Sequence, residues 1–178
     1  FLNYANLKHA NLENANLYYA YLRHANLGDA DLSNADLIKG HLEYASLTDA
    51  NLTDADLNGA DLAGVDLSNT NLYYVHAINL EECPAVLPTN WQCVQNNLLG
   101  PNANLSDADL TGTNLSGADL SGANLSYVHA TYLQECPAVL PTNWQCVQNN
   151  LVGAYADLSN ADLQFADLQF ADLSGADL

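Results

Sequence analysis

The chain is predicted to be an all-β solenoid. Three features of its 178 residues carry that prediction: a leucine at every fifth position, a small residue two places before each leucine, and a period that fits neither ordinary element. The leucines run without a miss from Leu2 to Leu72, and the beat returns from Leu105 to Leu125 and from Leu158 to Leu178. Five residues turn an α-helix through about 500°, which would scatter the leucines around its circumference, and an odd step in a strand sends alternate leucines to opposite faces. A chain that turns a corner in every repeat keeps them all inside. Each repeat is then one short side of a coil, alanine and leucine pointing inward and three positions outward, with coils stacked at a strand spacing of about 4.8 Å.

The unit reads A-[DN]-L-x-x, as in ANLEN, ADLSN and ADLTG. A small residue stands at the corner because a larger one would crowd the leucine of the adjoining side. Val65, Thr70, Val75, Thr113 and Val128 are modest enlargements of it. On these repeats the chain resembles the pentapeptide repeat proteins, and the resemblance covers all but two interludes. It implies a right-handed quadrilateral parallel β-helix with four repeats to a coil, here one solenoid over residues 1–178. Activities differ among members of that family, so the resemblance implies a fold and no mechanism.

The interludes share the seventeen letters ECPAVLPTNWQCVQNNL, at 82–98 and again at 135–151, inside a longer duplication that aligns Tyr74–Asn104 with Tyr127–Asp157 at an offset of 53 residues. Ala77 and Ala130 replace the expected leucine, so the chain is expected to leave the coil there, as insertions over approximately 78–100 and 131–153. The offset equals six repeats plus 23 residues, seven plus 18, or eight plus 13; six is favoured, which places the two loops on opposite sides of the coil. Four cysteines with one repeated spacing point to two local disulfides, Cys83 with Cys93 and Cys136 with Cys146. The alternatives are four free thiols or one zinc site, although zinc ligands pair at two to four residues apart and C-x9-C does not. Trp91 and Trp144 are expected to form satellite cores on Leu87 and Leu140. Disulfides persist in oxidising compartments. Together with a likeness of these interruptions to those of cyanobacterial family members, some of them exported, this places the protein in the periplasm or thylakoid lumen, with the cytoplasm as the alternative.

Three basic residues stand against twenty-one acidic ones, a net charge of -18, and all three bases (Lys8, Arg23, Lys39) lie in the first forty residues. Nucleic acid and anionic lipid are excluded as partners by that balance, since phosphate binding rests on Lys and Arg. The chain has no apolar run long enough for a membrane span and opens on FLNYANL, which has neither a basic nor an apolar leader segment.

No catalytic, cofactor-binding or metal residues are assigned. Aspartate precedes the leucine at positions such as Asp157, Asp162, Asp167 and Asp172, but these face four directions, so solvated surface is favoured over paired carboxylate chemistry. His76 and His129, duplicated ahead of each interlude, are read as braces for the loop exit. With four repeats per coil, Phe1, Tyr21, His41 and Asp61 fall on one outward ladder, and Tyr4, His24 and Tyr44 on another of the same side. Stacking alone would explain such ladders; a protein-binding patch is the functional alternative. Phe165 and Phe170 also point outward. The candidate interaction surface is therefore Phe1, Tyr4, Tyr21, Tyr44, Phe165 and Phe170. Neither end of the chain shows a capping element, so end-to-end self-association is a further expectation. The function expected is a non-enzymatic structural or protein-interaction module. The alternative is a DNA-mimicking inhibitor of type II topoisomerase, against which the cysteines count because that target is cytosolic.

Overall fold

In a computed structural model, which describes residues 1–178, each repeat closes one corner of a right-handed quadrilateral β-helix. The alanine N–H donates to the preceding leucine carbonyl, as from Ala5 to Leu2 at 3.0 Å and from Ala10 to Leu7 at 3.0 Å. The residue just before the alanine takes a left-handed conformation, with φ of 60° at Tyr4, 56° at Asn14 and 53° at Asp29. Only Gly, and less readily Asn and Asp, visits that region at little cost, so the fifth position favours them: Asn34, Asp49 and Gly117 occupy it.

Coils join through parallel pairing of residues twenty apart. The Leu7 N–H donates to the Asn26 carbonyl at 2.7 Å, and the Asn26 N–H donates back to Ala5 at 2.9 Å. Four columns result. Side A carries Phe1, Tyr21, His41 and Asp61; side B, Asn6, Asn26, Ser46 and Asp66; side C, Asn11, Asp31, Asn51 and Asn71; side D, Asn16, Asp36, Asp56 and His76. The leucines from Leu22 to Leu67 are completely buried among the corner alanines, forming the larger part of the core.

An Asp or Asn before the leucine is more than solvated surface. Its Oδ1 accepts the backbone N–H two residues on, from Ser33 to Asp31 at 3.1 Å, Thr53 to Asn51 at 3.2 Å, and Gln164 to Asp162 at 3.1 Å. Asp and Asn serve equally because only Oδ1 is used, which explains the A-[DN]-L degeneracy. Stacked asparagines add a bond between coils, as from Asn71 Nδ2 to Asn51 Oδ1 at 3.0 Å.

The interludes differ from the sequence expectation in a way that follows from pairing. After His76 the chain keeps building the wall: Glu82 pairs with Asp61 on side A, and Val86 with Asp66 on side B. Cys83 and Leu87 thereby take leucine positions. Only then does the chain form a hairpin of β1 (Gln92–Val94) and β2 (Asn97–Leu99), returning to side D where Asn104 pairs with His76. The interrupted coil therefore holds eight residues more than a regular one, the 28 from His76 to Asn104 against 20 elsewhere. The second interlude repeats this with Glu135, Val139, β3 (Gln145–Val147) and β4 (Asn150–Val152). The 53-residue offset thus spans nine sides, not six. His129 lies on side A beside side D, and the hairpins leave from adjacent sides rather than opposite ones.

Each hairpin has one strand outside and one inside: β1 is half-buried and β2 wholly buried. Leu98 packs into the N-terminal core and its neighbour Leu99 into the next, while Leu151 and Val152 divide the following boundary likewise. Trp91 touches the core on both sides of β2, and Trp144 does so across β4, so neither builds a satellite core. Both rest on glycine. A Cβ on Gly100 would stand 2.2 Å from Trp91 Cδ2, and one on Gly153 would stand 2.2 Å from Trp144 Cδ2.

Candidate interaction face

The four-sided register brings Phe1, Tyr4, Tyr21 and Tyr44 onto side A of the first three coils. Because coils are one strand spacing apart, side chains in a column meet face to face. Phe1 stacks on Tyr21 at 4.9 Å between ring centroids, and Tyr21 on His41 at 4.7 Å. The second ladder runs from Tyr4 to His24 at 4.9 Å and from His24 to Tyr44 at 5.2 Å. All three of its members hold φ between 57° and 60°, a conformation unusual for aromatic residues, which the ring stacking offsets. Gly64 closes the ladder: the Tyr44 ring lies over its α-carbon, so close that a Cβ there would be 2.4 Å from Tyr44 Cδ1. Although stacked, the rings remain open at their edges, with Tyr4 74% and Tyr44 61% exposed.

Between the ladders runs a polar column of Asn3, Arg23 and Glu43. Arg23 Nη2 donates to Glu43 Oε1 in an ion pair, and Asn3 Oδ1 accepts the Arg23 N–H at 3.0 Å. Glu43 is only 5% exposed. Burial pushes its carboxyl up, but the Arg23 hydrogen bond and charge outweigh that and hold it below the usual carboxylate range. Its second oxygen, Oε2, is buried without a partner. Beside the pair lies a recess of about 440 Å³, walled by Tyr21, Arg23, His41, Glu43, Asp61 and Glu81.

The duplicated histidines brace the interludes as expected. His76 Nε2 donates to the Ser106 carbonyl at 3.4 Å, joining the coil before the hairpin to the coil after it, and its Nδ1 faces Asp56 Oδ2 at 3.6 Å. The adjacent Asp56 carboxylate raises the His76 pKa above its ordinary value despite burial. His129 makes the equivalent contact to Ser159 at 3.3 Å. Both disulfides form, with Cα separations of 6.2 Å for Cys83–Cys93 and 6.1 Å for Cys136–Cys146. Each ties β1 or β3 to the cysteine standing in a leucine position of the wall. No three His, Cys, Asp or Glu side chains converge to hold a metal ion, and no helix is long and apolar enough to cross a membrane.

A pentapeptide repeats model matches residues 2–76, 101–132 and 154–178, leaving out only the two interludes and their flanks. The chain belongs to the pentapeptide repeat family. None of the curated proteins matches it. Among solved structures it is similar to alr5209, a pentapeptide repeat protein from Nostoc Pcc 7120, at 35% identity, covering 51% of this chain and 75% of that one with a TM-score of 0.46. It is also similar to Rfr23 from the cyanobacterium Cyanothece 51142, at 26% identity, covering 76% and 86% with a TM-score of 0.40. HetL from Nostoc, involved in heterocyst differentiation regulation, matches at 28% identity over 98% of this chain and 83% of its own, with a TM-score of 0.34.

Of the surface residues singled out in this pentapeptide repeat protein, the structure gathers four and separates two. Phe165 and Phe170, 93% and 87% exposed, stand on successive sides of the C-terminal coil and stack on nothing in their columns. Sequence reasoning did not single out Glu43 or Glu81. Glu43 was visible only as the one acidic residue in the column between the ladders, directly below Arg23.

Proposed function

We propose that the protein is a non-enzymatic protein-interaction module of an oxidising compartment, and that side A of its first three coils is the contact face. The observation that carries this reading is the pair of aromatic–histidine ladders, edge-exposed on one flat side and holding between them the Arg23–Glu43 ion pair. Large rigid aromatic surface with an arginine is the composition that protein contacts favour. Phe165 and Phe170 are a second, smaller contact. The two disulfides support an exported location, periplasm or thylakoid lumen, over the cytoplasm.

A photo-crosslinking residue placed in turn at Tyr4 or Tyr44 on side A, and at Asn14, Asp29 or Asp54 on other sides, tests the reading in cells. A discrete adduct of one mass from the side A positions alone is expected. Adducts of equal yield from every side, or none from side A, would overturn it. The net charge of -18 favours one second reading, inhibition of a type II topoisomerase by imitation of duplex DNA. A gyrase supercoiling assay separates the two, and the interaction module is expected to leave supercoiling unchanged.

A further inference from the structure

The apolar core is not continuous along the rod. It divides into three clusters, and both boundaries fall at the interludes: Leu98 belongs to the first and Leu99 to the second, Leu151 to the second and Val152 to the third. The wall is interrupted at the same places. A regular side passes three backbone bonds between coils, as from Leu7 to Asn26 at 2.7 Å, His9 to Gly28 at 2.9 Å and Asn26 to Ala5 at 2.9 Å. At the first interlude the paired wall crosses on side D alone, where His76 meets Asn104 through bonds from Tyr74 to Asn102 and from Asn104 to Val75, both 2.9 Å. On the other three sides the ladder stops: Glu82, Val86 and Asn71 pair only with the coil before them, and Asp109, Asn114 and Asp119 only with the coil after. At the second interlude the crossing is on side A alone, His129 with Asp157.

A rod joined along one side only is a hinge unless something fills the other three. The hairpin is that filling. Bonds from Leu98 to Ala77 and from Leu80 to Asn96, 2.9 Å each, seat it on the coil before. Toward the coil after, it offers side chains: Gln92 Nε2 donates to the Ser116 carbonyl at 3.4 Å, Asn97 Nδ2 to the Asp109 carbonyl at 3.5 Å, and Trp91 packs on both cores. Trp91 and Gln92 ride on the β1 segment, whose attachments are its pairing with β2 and the bond from Cys93 to Cys83 in the wall.

We infer that each interlude is a hinge held closed by its disulfide, and that reduction frees β1 and lets the neighbouring coil segments swing about the one paired side. That side is D at the first joint and A at the second, so the two bends are at right angles. The reductant is a dithiol. One of its thiolates attacks a sulfur of the pair and the other cysteine leaves as a thiolate; the second thiol then displaces the attacked cysteine, so two electrons reach the chain and the dithiol becomes a disulfide.

The test is a pulsed electron resonance distance measurement on the whole chain, with spin labels on noncanonical residues so that no cysteine is used. Thr48 and Ser116, both exposed on side B, face away from the first hinge line; Lys8 and Thr48 lie within one segment and are the control. Reduction by dithiothreitol, or Cys83→Ser with Cys93→Ser, should broaden the Thr48–Ser116 distribution toward longer distances by about one coil spacing or more, ~4.8 Å, and leave the control pair unchanged. An unchanged Thr48–Ser116 distance with faster hydrogen exchange at Gln92–Val94 would mean that the hairpin frays on a stiff rod, and would overturn the hinge. Broadening of the control pair as well would mean unfolding of the coil, and broadening already present in the oxidised chain would remove the disulfide as the lock; either result also overturns the inference.

Discussion

Gly100→Ala probes the seat of Trp91, the contact on which the buried hairpin strand depends. A methyl group at that position would lie 2.2 Å from Cδ2, 2.5 Å from Cε2 and 2.7 Å from Cε3 of the indole. Carbon atoms pack at about 3.5–4.0 Å, so the ring must withdraw by more than ~1 Å. Trp91 touches core on both sides of β2 and cannot retreat without uncovering part of itself. Exposing ~60–100 Å² of an indole costs about 1.5–2.5 kcal/mol at ~25 cal/mol per Å². Strain adds about 1 kcal/mol or more, and the lower chain entropy of alanine returns about 0.4–1 kcal/mol. A net loss of about 2–3 kcal/mol is expected. Trp144→Phe leaves Trp91 as the only tryptophan, so equilibrium urea unfolding followed by indole fluorescence in that background reports both stability and environment. The folded state of Gly100→Ala should unfold at lower urea and emit further to the red. Gly28→Ala, whose added methyl would meet the Asn26 side chain at 3.2 Å and otherwise only ordinary contacts at 3.6 Å or beyond, is the control and should change stability by less than ~0.5 kcal/mol. Stability and emission unchanged in Gly100→Ala would show that the indole does not sit on Gly100.

Three further outcomes are expected. Cys83→Ala with Cys93→Ala should cost a little under ~3 kcal/mol in the loop-entropy account and detach β1 before the coil unfolds, as read by hydrogen exchange at Gln92–Val94. Asp162, Asp167 and Asp172 replaced by Asn should leave the melting temperature unchanged because Oδ1 still accepts from Gln164, Gln169 and Ser174, whereas replacement by Ala should lower it. The His76–Asp56 pair should make stability fall at both pH extremes. The raised His76 pKa contributes fully below the unfolded imidazole value and is lost as pH rises through the folded one. The lowered Asp56 pKa contributes above the unfolded carboxylate value and is lost as pH falls through the folded one. Urea midpoints across pH 5 to 9 should show an alkaline decline of about 1 kcal/mol or less that His76→Asn removes.

The regular coils were legible because the period of five admits a single solution, and every leucine from Leu22 to Leu67 obeys it. The stacking of Phe1, Tyr21 and His41 followed from the same count. The turn chemistry was present but unread: Asn, Asp and Gly recur at the fifth position because the backbone there is left-handed, and Tyr4 or His24 at that site obscures the pattern. The aspartates were read as surface because their charge is conspicuous, while their work is done by one uncharged-equivalent acceptor atom, as at Asp31 and Ser33. The interludes defeated counting since Cys83 and Leu87 fill leucine positions after irregular spacing, concealing two sides of wall inside an apparent loop. Nothing periodic marks β2 as buried. Glu43 could not be recognised as buried because its column is otherwise open to solvent.

The contact face is tested most directly by hydroxyl-radical footprinting of the tyrosines, comparing the protein in its native extract with the purified chain. Tyr4 and Tyr44 on side A, and Tyr127 and Tyr155 elsewhere, are all between 48% and 74% exposed, so the second group is an internal standard for the first. Protection of Tyr4 and Tyr44 in the extract, with Tyr127 and Tyr155 reacting as in the purified chain, is the result predicted. Equal reactivity of both groups in the two preparations would contradict an occupied side A.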